Sequence, residues 1–475
     1  RQLWWGHRIP AYYCRHCGKM VVAREMPDTC PDCGGHEFDQ DPDTLDTWFS
    51  SALWPFSTLG WPKKTPEYDY FYPTDVLVTG YDIIFFWVAR MIIMGMEFMK
   101  DVPFGKVFIH GLVRDDQGRK MSKSLGNGID PLQVISEYGC DTLRFMLITG
   151  NTPGNDMRFY WSRVESTRNF ANKIWNASRF ALMNLEGYDE KAPRAPYVLA
   201  DKWILSRLQD VAADVTGLLD RFELGEAGRT IYDFIWGEIC DWYIEIAKPR
   251  LYGKETPEAR ATAQYVLVTV LTGAMKLLHP YMPFITEEIY QALPHDCRSI
   301  MISPWPVADP ALVDKEAEKA MEAIMAAIKS IREMRAQVNA APGKKAPATV
   351  LADASLRDVI KANEGYFQQL AAVDDLTVLP LDAAKPENAM AAVNSGVEVY
   401  LPLKGLIDVE LETARLNKEK AGLEKELNRV SGKLSNQNFL AKAPAEVVAK
   451  EKAKAGEYTA KKKTIEERLA YLKTL

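Results

Sequence analysis

The chain has no long apolar run free of charge. Its most apolar stretch, Asp82 to Met99, carries Arg90 in its middle and is too short and too polar for a membrane span, so no membrane partner is expected. Neither charge dominates: 58 Lys and Arg stand against 64 Asp and Glu, a net charge of -6. Global charge therefore does not announce nucleic acid, and any basic surface has to be local. Cysteine is scarce, seven in 475 residues. No signal peptide is recognisable, so the expected compartment is cytoplasmic, where structural disulfides are rare. The length predicts several domains with sizeable cores. The chain opens on Arg1 rather than Met and in mid-motif, and we expect a piece of a longer protein.

Against that background one string stands out, Gly111 to Asn127, centred on Lys120-Met121-Ser122-Lys123-Ser124. The β-like run Val107 to His110 precedes it, and Asp115-Asp116-Gln117-Gly118 predicts a turn. Downstream, Asp130-Pro131 predicts a helix start. Two ammonium groups can follow charge as it moves during displacement at phosphorus, and Ser122 and Ser124 can donate to phosphate oxygens. A bare pair of lysines at this spacing is common on basic surface loops; the full string through Asn127 is not.

Other regions carry readings of their own. Cys14-x-x-Cys17 and Cys30-x-x-Cys33 are two knuckles separated by twelve residues, a spacing that places four thiolates around one Zn2+. Gly18 and Gly34 follow where a tight turn needs a permissive backbone. Two disulfides are the rival reading. His16 and His36 are bystanders to a closed, structural four-sulfur site. Asp75 to Gly80 predicts an apolar strand ending in glycine, and Tyr81 to Met99 a helix apolar nearly all round, hence buried. Strand, glycine turn and helix start together make a nucleotide crevice, with Val107 to Ile109 as the neighbouring parallel strand. Asp82 is placed to accept from ribose hydroxyls or, equally, to act as a first-turn acid. The aromatic stretch Asp41 to Trp61 reads as ordinary core or as the lining of an apolar pocket.

Residues 158–293 predict a helical bundle, with helix stops at Lys248-Pro249, Gly253, His279-Pro280 and Leu293-Pro294. His279 reads as structural. A helix over 314–339 leads to a small α/β element with strands at Val350, Leu376–Leu379 and Val397–Leu401. In the tail, apolar or stem-like residues recur every three or four positions, as at Leu416, Lys420, Leu423, Leu427 and Val430, and again at Tyr458, Lys462, Ile465 and Leu469. Pro444, with Asn436 and Asn438 before it, breaks the run and predicts an antiparallel hairpin. From Thr413 onward fifteen Lys or Arg face eight Glu, which reads as a phosphate-contact surface or as a solvated coil rich in lysine.

Taken together, these strings resemble the class I aminoacyl-tRNA synthetases, and among them the bacterial valyl-tRNA synthetases. The carriers are Lys120 to Asn127, Arg1 to Pro10, Leu45 to Phe56, Gly80 to Arg90 and Asn169 to Trp175-Asn176. The resemblance implies an enzyme that activates valine with ATP, a substrate accompanied by Mg2+, and passes it to tRNA(Val). It implies that Lys120 and Lys123 stabilise the ATP phosphates, Gly80 and Asp82 hold the ribose, and His110 and Gly111 border the adenine. Trp48, Ile83 and Trp87 would wall the valine pocket. Apolar walls discriminate poorly against an isosteric hydroxyl, a limit for which these synthetases are themselves the worked case. Arg179 and Phe180 would meet the anticodon as phosphate partner and base-stacking residue.

The fold class so implied is the α/β half of a Rossmann-type catalytic domain with a zinc knuckle, then an α-helical bundle, a small α/β element and a C-terminal antiparallel coiled coil. Its expected divisions are 1–150 (knuckle 14–33), 151–300 for anticodon binding, 301–405, and 406–475 as a tRNA-binding arm, in a monomer. The family's His-x-Gly-His motif and its editing domain are absent from this sequence and would precede Arg1. Hence the expected state of the chain alone is inactive. The alternative is a standalone zinc-containing tRNA-binding module without catalysis.

Overall fold

The computed structural model describes residues 6–150, 152–387, 389–402, 406, 409–435 and 445–472. The motif residues 1–5 lie outside them. Two compact units are present: Arg1–Trp175 with Ala213–Tyr232 and Met275–Pro304, and Asn176–Ala212 with Asp233–Ala274 and Trp305–Leu475.

In the first unit, β1 (Ala11–Cys14) pairs antiparallel with β2 (Met20–Val22) and β3 (Phe38–Gln40), and the cysteine knuckles hang from this small sheet. Three short helices follow, α1 (Thr47–Ala52), α2 (Trp54–Ser57) and α3 (Pro66–Phe71). The β-branched run of β4 (Thr74–Gly80) then pairs in parallel with β5 (Phe104–His110), from Thr74 opposite Phe104 to Gly80 opposite His110. The predicted parallel neighbour is thus in place, and both strands end at the same edge.

Between them the chain is helical but irregular: a 3-10 turn at Tyr81–Ile83, a π segment at Ile84–Val88, α4 (Ala89–Met94), and a second π segment at Gly95–Met99. Val88 and Met91 pack on Leu77 of β4 and Phe104 of β5, with Ile84 and Trp87 alongside. The expectation that this stretch is buried all round is wrong. Phe85 is 83% and Ile93 63% exposed, because β4 and β5 cover one face only.

Two short helices, α5 (Pro131–Tyr138) and α6 (Cys140–Thr149), carry the chain on. Val134, Leu143, Met146, Met157, Phe159 and Val164 form their core, against which Met121 and Ile129 pack. The strand pair β6 (Val113–Arg114) and β7 (Met157–Arg158) closes the region ahead of the long α7 (Trp161–Met183). Asp141 on α6 accepts from the backbone N–H groups of Phe284 (3.2 Å) and Ile285 (2.7 Å). Arg144 donates to the carbonyls of Pro280 (2.9 Å) and Tyr281 (3.2 Å). His279 bonds Thr286 through Nδ1 at 2.7 Å, which fits its structural reading.

The helical region comprises α8 (Leu199–Asp220), α9 (Leu224–Asp233) running through a π segment (Phe234–Tyr243) into α10 (Ile244–Leu251), then α11 (Pro257–Leu278), α12 (Pro283–Ala292) and α13 (Lys315–Gln337). Helix α11 has the length and apolarity of a spanning helix, yet 67% of that stretch is buried inside the protein, as in a core helix. Within the second unit, Asp201 and Arg250 form a bidentate pair at 2.7 and 2.8 Å, fully buried, and Tyr243 donates to the same carboxylate at 2.9 Å.

Pro249 does not stop its helix as expected; α10 continues to Leu251, and the turn at Gly253 (φ +69°) follows. A proline leaves the carbonyl four residues earlier without its N–H partner. Here the side-chain amide of Gln369 takes that carbonyl, Glu245 O, at 2.5 Å.

The small α/β element is a four-stranded sheet, ordered β10 (Ala389–Asn394), β11 (Val397–Pro402), β8 (Ala346–Ala352), β9 (Val373–Pro380), with α14 (Ala354–Ala362) and α15 (Glu364–Ala371) between β8 and β9. Strand β10 was not foreseen: its Ala-Met-Ala-Ala-Val-Asn is poor in β-branched residues, and hairpin pairing with β11 makes it a strand.

The tail is two long helices, α16 (Val409–Ser435) and α17 (Ala445–Leu472). Ion pairs Lys420–Glu466, Glu424–Lys462 and Lys433–Glu451 fall in opposite order along the two, so they run antiparallel. Leu416, Val430 and Ile465 are buried between them. The turn predicted at Asn436, Asn438 and Pro444 lies outside the described residues.

Candidate functional site

The four knuckle sulfurs lie within 4.8 Å of one another. Cys14–Cys33 and Cys17–Cys30 are 3.6 Å apart and all four thiols are free, which disfavours the disulfide reading. A tetrahedral ion with metal–sulfur bonds of ~2.3 Å sets sulfur–sulfur edges of about 3.8 Å, so the set fits one. The sequence builds this cradle locally. Gly18 (φ +75°) and Gly34 (φ +70°) turn the chain back so that their N–H groups reach Cys14 O (2.8 Å) and Cys30 O (2.9 Å). His36 spends Nδ1 on Asp28 O at 2.7 Å, consistent with a bystander.

At the carboxyl edge of the parallel pair, Gly80, Asp82, His110 and Lys120 come together. Gly80 stands opposite His110. A Cβ on Gly80 would sit 2.9 Å from Asp82 Oδ1, so the carboxylate folds back over the glycine. Lys120 Nζ lies 3.7 Å from Asp82 Oδ2. His110 Nδ1 is 2.8 Å from Gly111 O. At Gly111 a Cβ would lie 1.8 Å from Asn155 O, so only glycine lets the chain pass there.

The lysine loop is folded around Asp115, which is buried. Its carboxylate accepts from Arg119 N and Arg119 Nε, both at 2.7 Å, from Gln117 N at 3.1 Å and from Asn127 Nδ2 at 3.0 Å. The Asn127 amide first, then Arg119, bring its pKa down to about 2. Asn127 Oδ1 in turn accepts from Ser122 N at 2.9 Å. The Ser122 hydroxyl meets Ser124 Oγ at 3.2 Å and receives Leu125 N–H at 3.3 Å. The Lys123 side chain is exposed and, among the described residues, makes no ion pair or hydrogen bond.

The candidate valine walls are less convergent. Trp48 stacks on Phe86 at 5.6 Å, and Arg90 lies over the same ring while pairing with Asp46 at 3.1 Å. Trp87 packs in the core beneath β4 and β5, and Ile83 is half-buried. Arg179 is exposed. Phe180 is half-buried, edge-on to Tyr252 at 6.2 Å with Lys248 Nζ 5.6 Å from its ring.

Sequence reasoning missed Asp156. Its carboxylate accepts from Leu112 N at 2.8 Å, Tyr81 OH at 3.2 Å and Arg114 Nε. The Leu112 N–H first, then Arg114, hold it below the ordinary carboxylate range. Nothing local marks it, since its partners are distant in sequence.

Three family models match the chain. Residues 1–160 match the class I tRNA synthetases (I, L, M and V). Residues 201–350 match the anticodon-binding domain of tRNA ligase, and residues 408–473 match the valyl tRNA synthetase tRNA binding arm. The valine–tRNA ligase of Carboxydothermus hydrogenoformans is 54% identical over 99% of this chain. The chain belongs to the class I valyl-tRNA synthetase family. It spans about half the length of the curated relatives it matches, 54% in that case.

Two further valyl-tRNA synthetases give the same picture. The valine–tRNA ligase of Clostridium acetobutylicum is 53% identical over the whole chain and 54% of its own length. That of Bacillus subtilis is 51% identical over the whole chain and 53% of its own length. Among solved structures, the agnB2 LeuRS of Agrobacterium radiobacter K84, in a ternary complex with tRNA and LeuAMS, matches 66% of this chain and 42% of its own. The TM-score is 0.52 at 23% identity, a likeness of fold. The standalone binding module is not favoured, because the synthetase model spans the region of the lysine loop.

Proposed function

We propose that this chain forms the phosphate- and ribose-gripping part of a valine–tRNA ligase. The valine carboxylate attacks the α-phosphorus of ATP and pyrophosphate leaves, giving valyl-adenylate. A terminal tRNA(Val) hydroxyl then attacks the acyl carbon and AMP leaves. The observation that carries this reading is Lys120 facing Asp82 at the edge where β4 and β5 both end. A strand edge of this kind is where parallel α/β sheets bind nucleotides.

Asp82 and Gly80 take the ribose, with His110 and Gly111 beside the adenine. Lys120, Lys123, Ser122 and Ser124 meet the phosphates, and Lys123 is uncommitted and able to follow the departing pyrophosphate. Mg2+ arrives with ATP. Trp48, Ile83 and Trp87 supply walls to the valine pocket. Cys14, Cys17, Cys30 and Cys33 hold a structural Zn2+, a closed set with no open position for chemistry. Residues 151–300, through Arg179 and Phe180, meet the anticodon, and residues 406–475 lie on the tRNA as a coiled coil. The protein works as a cytoplasmic monomer.

The test is valine-dependent ATP–pyrophosphate exchange. The chain alone is expected to show none, and the chain joined to the missing half of a relative such as the Bacillus subtilis enzyme is expected to show it. Exchange by the chain alone would overturn the division of labour. Its absence from the joined protein, folded and zinc-loaded, would overturn the function.

A further inference from the structure

Two parts of the crevice come from distant sequence, the turn at Gly80–Asp82 and the loop around Lys120. Asp156 touches the neighbours of both. Its Oδ1 takes the N–H of Leu112, just past β5. Its Oδ2 takes Tyr81 OH at 3.2 Å, between Gly80 and Asp82, and Arg114 Nε. Arg114 in turn bridges the backbone of Lys120 as an antiparallel partner and donates to Gly118 O at 3.4 Å, inside the turn that precedes the lysines. The Asp156 side chain is 24% exposed and that of Arg114 29%, so the ion pair between them is partly covered. Gly111 is shaped to this arrangement, since a side chain there would strike the backbone of Asn155 and Asp156.

We propose that Asp156 is a positioning residue that ties the lysine loop to the ribose turn, through Arg114 on one side and Tyr81 on the other. The inference rests on the reading of this crevice as the nucleotide site. Asp156 touches neither substrate; it acts by holding Lys120 and Asp82 in one frame.

D156N separates the links. The amide can keep Oδ1 toward Leu112 N–H, and Tyr81 OH can turn to accept from its NH2, but that NH2 also faces Arg114 Nε–H, which can only donate and loses its acceptor. In the chain as it stands, trypsin cleavage after Arg119, Lys120 and Lys123 is expected to rise about tenfold in D156N, the size expected from losing a charged hydrogen bond. Cleavage after the exposed Lys254 serves as an internal reference and is expected to stay constant. In the joined protein that carries out exchange, D156N is expected to raise the KM for ATP and lower kcat about tenfold, leaving the KM for valine unchanged.

Y81F removes one link without touching the carboxylate and is expected to produce the same pattern, smaller. It decides the matter if D156N fails to fold. Unchanged loop cleavage in D156N, or in Y81F where D156N is unfolded, overturns the proposal whatever the activity. So does increased cleavage with KM for ATP and kcat both unmoved. Failure of the joined protein to exchange at all would instead sink the nucleotide reading, and the cleavage result would still report on the tie itself.

Discussion

The Lys120 ammonium stands 3.7 Å from the Asp82 carboxylate, across the edge where two parallel strands end. The lysine side chain is 67% exposed and the aspartate 38%. A pair so open to water contributes below about 1 kcal/mol to stability. Lys120 is therefore free to exchange Asp82 for a phosphate. K120A is expected to leave thermal unfolding within the error of measurement while reducing pyrophosphate exchange in the joined protein on the order of a hundredfold or more. A melting curve and an exchange assay on the same preparation check both halves.

Asp115 predicts how the loop responds to acid. Hydrogen bonds from Asn127 and Arg119 lower its pKa from the ordinary 3.8 to about 2. For a depressed carboxyl the folded state binds fewer protons than the unfolded one, so its stabilising contribution is complete above 3.8 and is lost as pH falls through about 2. The order of the lysine loop is expected to persist at pH 4 and to fail near pH 2. The carboxyl carbon of labelled Asp115 should titrate with a midpoint near 2, and the Arg119 amide signal should move with it. A midpoint near 3.8 for both would contradict the network described above.

The buried pair Asp201–Arg250 is the strongest stability prediction. Their side chains are 0% and 5% exposed. Removing one partner leaves an uncompensated buried charge, so D201A is expected to cost about 3–5 kcal/mol in denaturant unfolding. The double substitution D201L/R250M, which removes both charges, is expected to recover part of that loss, since the buried Tyr243 hydroxyl is left without its acceptor. If D201A and the double variant are equally unstable, shape rather than charge governs the site.

Metal removal is the fourth test. One Zn2+ per chain is expected by elemental analysis, and none in C14S/C30S. A strong chelator is expected to release the ion and unfold β1 to β3 locally, because the bonds that tie the two knuckles together are lost and the small sheet has little apolar core of its own. Protease sensitivity within residues 14–33 measures it, with helices α8 to α13 as the unaffected reference.

How much of this could be read in the residues differs from feature to feature. The cysteine knuckles were legible because each ligand pair and its glycine turn are local, so spacing alone dictates geometry. The parallel strands, the crevice edge, and the helices from α5 to α13 were legible through β-branched runs, caps and periodicity. Three features were not. Pro249 reads as a stop unless one knows that Gln369, far along the chain, supplies the missing donor to Glu245. Strand β10 reads as neutral chain until β11 lies beside it. The stretch Tyr81 to Met99 reads as buried, since composition cannot say how many strands lie across it.

By itself, then, the order of residues determined what chemistry the chain carries: four thiols at ligand spacing, two lysines flanking a hydroxyl, a glycine and an acid after a parallel strand. These are properties of neighbours, set by backbone geometry over a few residues. Tertiary structure alone decided which of them meet. Lys120 reaches Asp82, and Asp156 reaches Tyr81 and Arg114, across 75 and 42 positions of sequence. Hydrogen bonds between remote side chains leave no periodic trace, because either partner taken alone is indistinguishable from an ordinary surface charge.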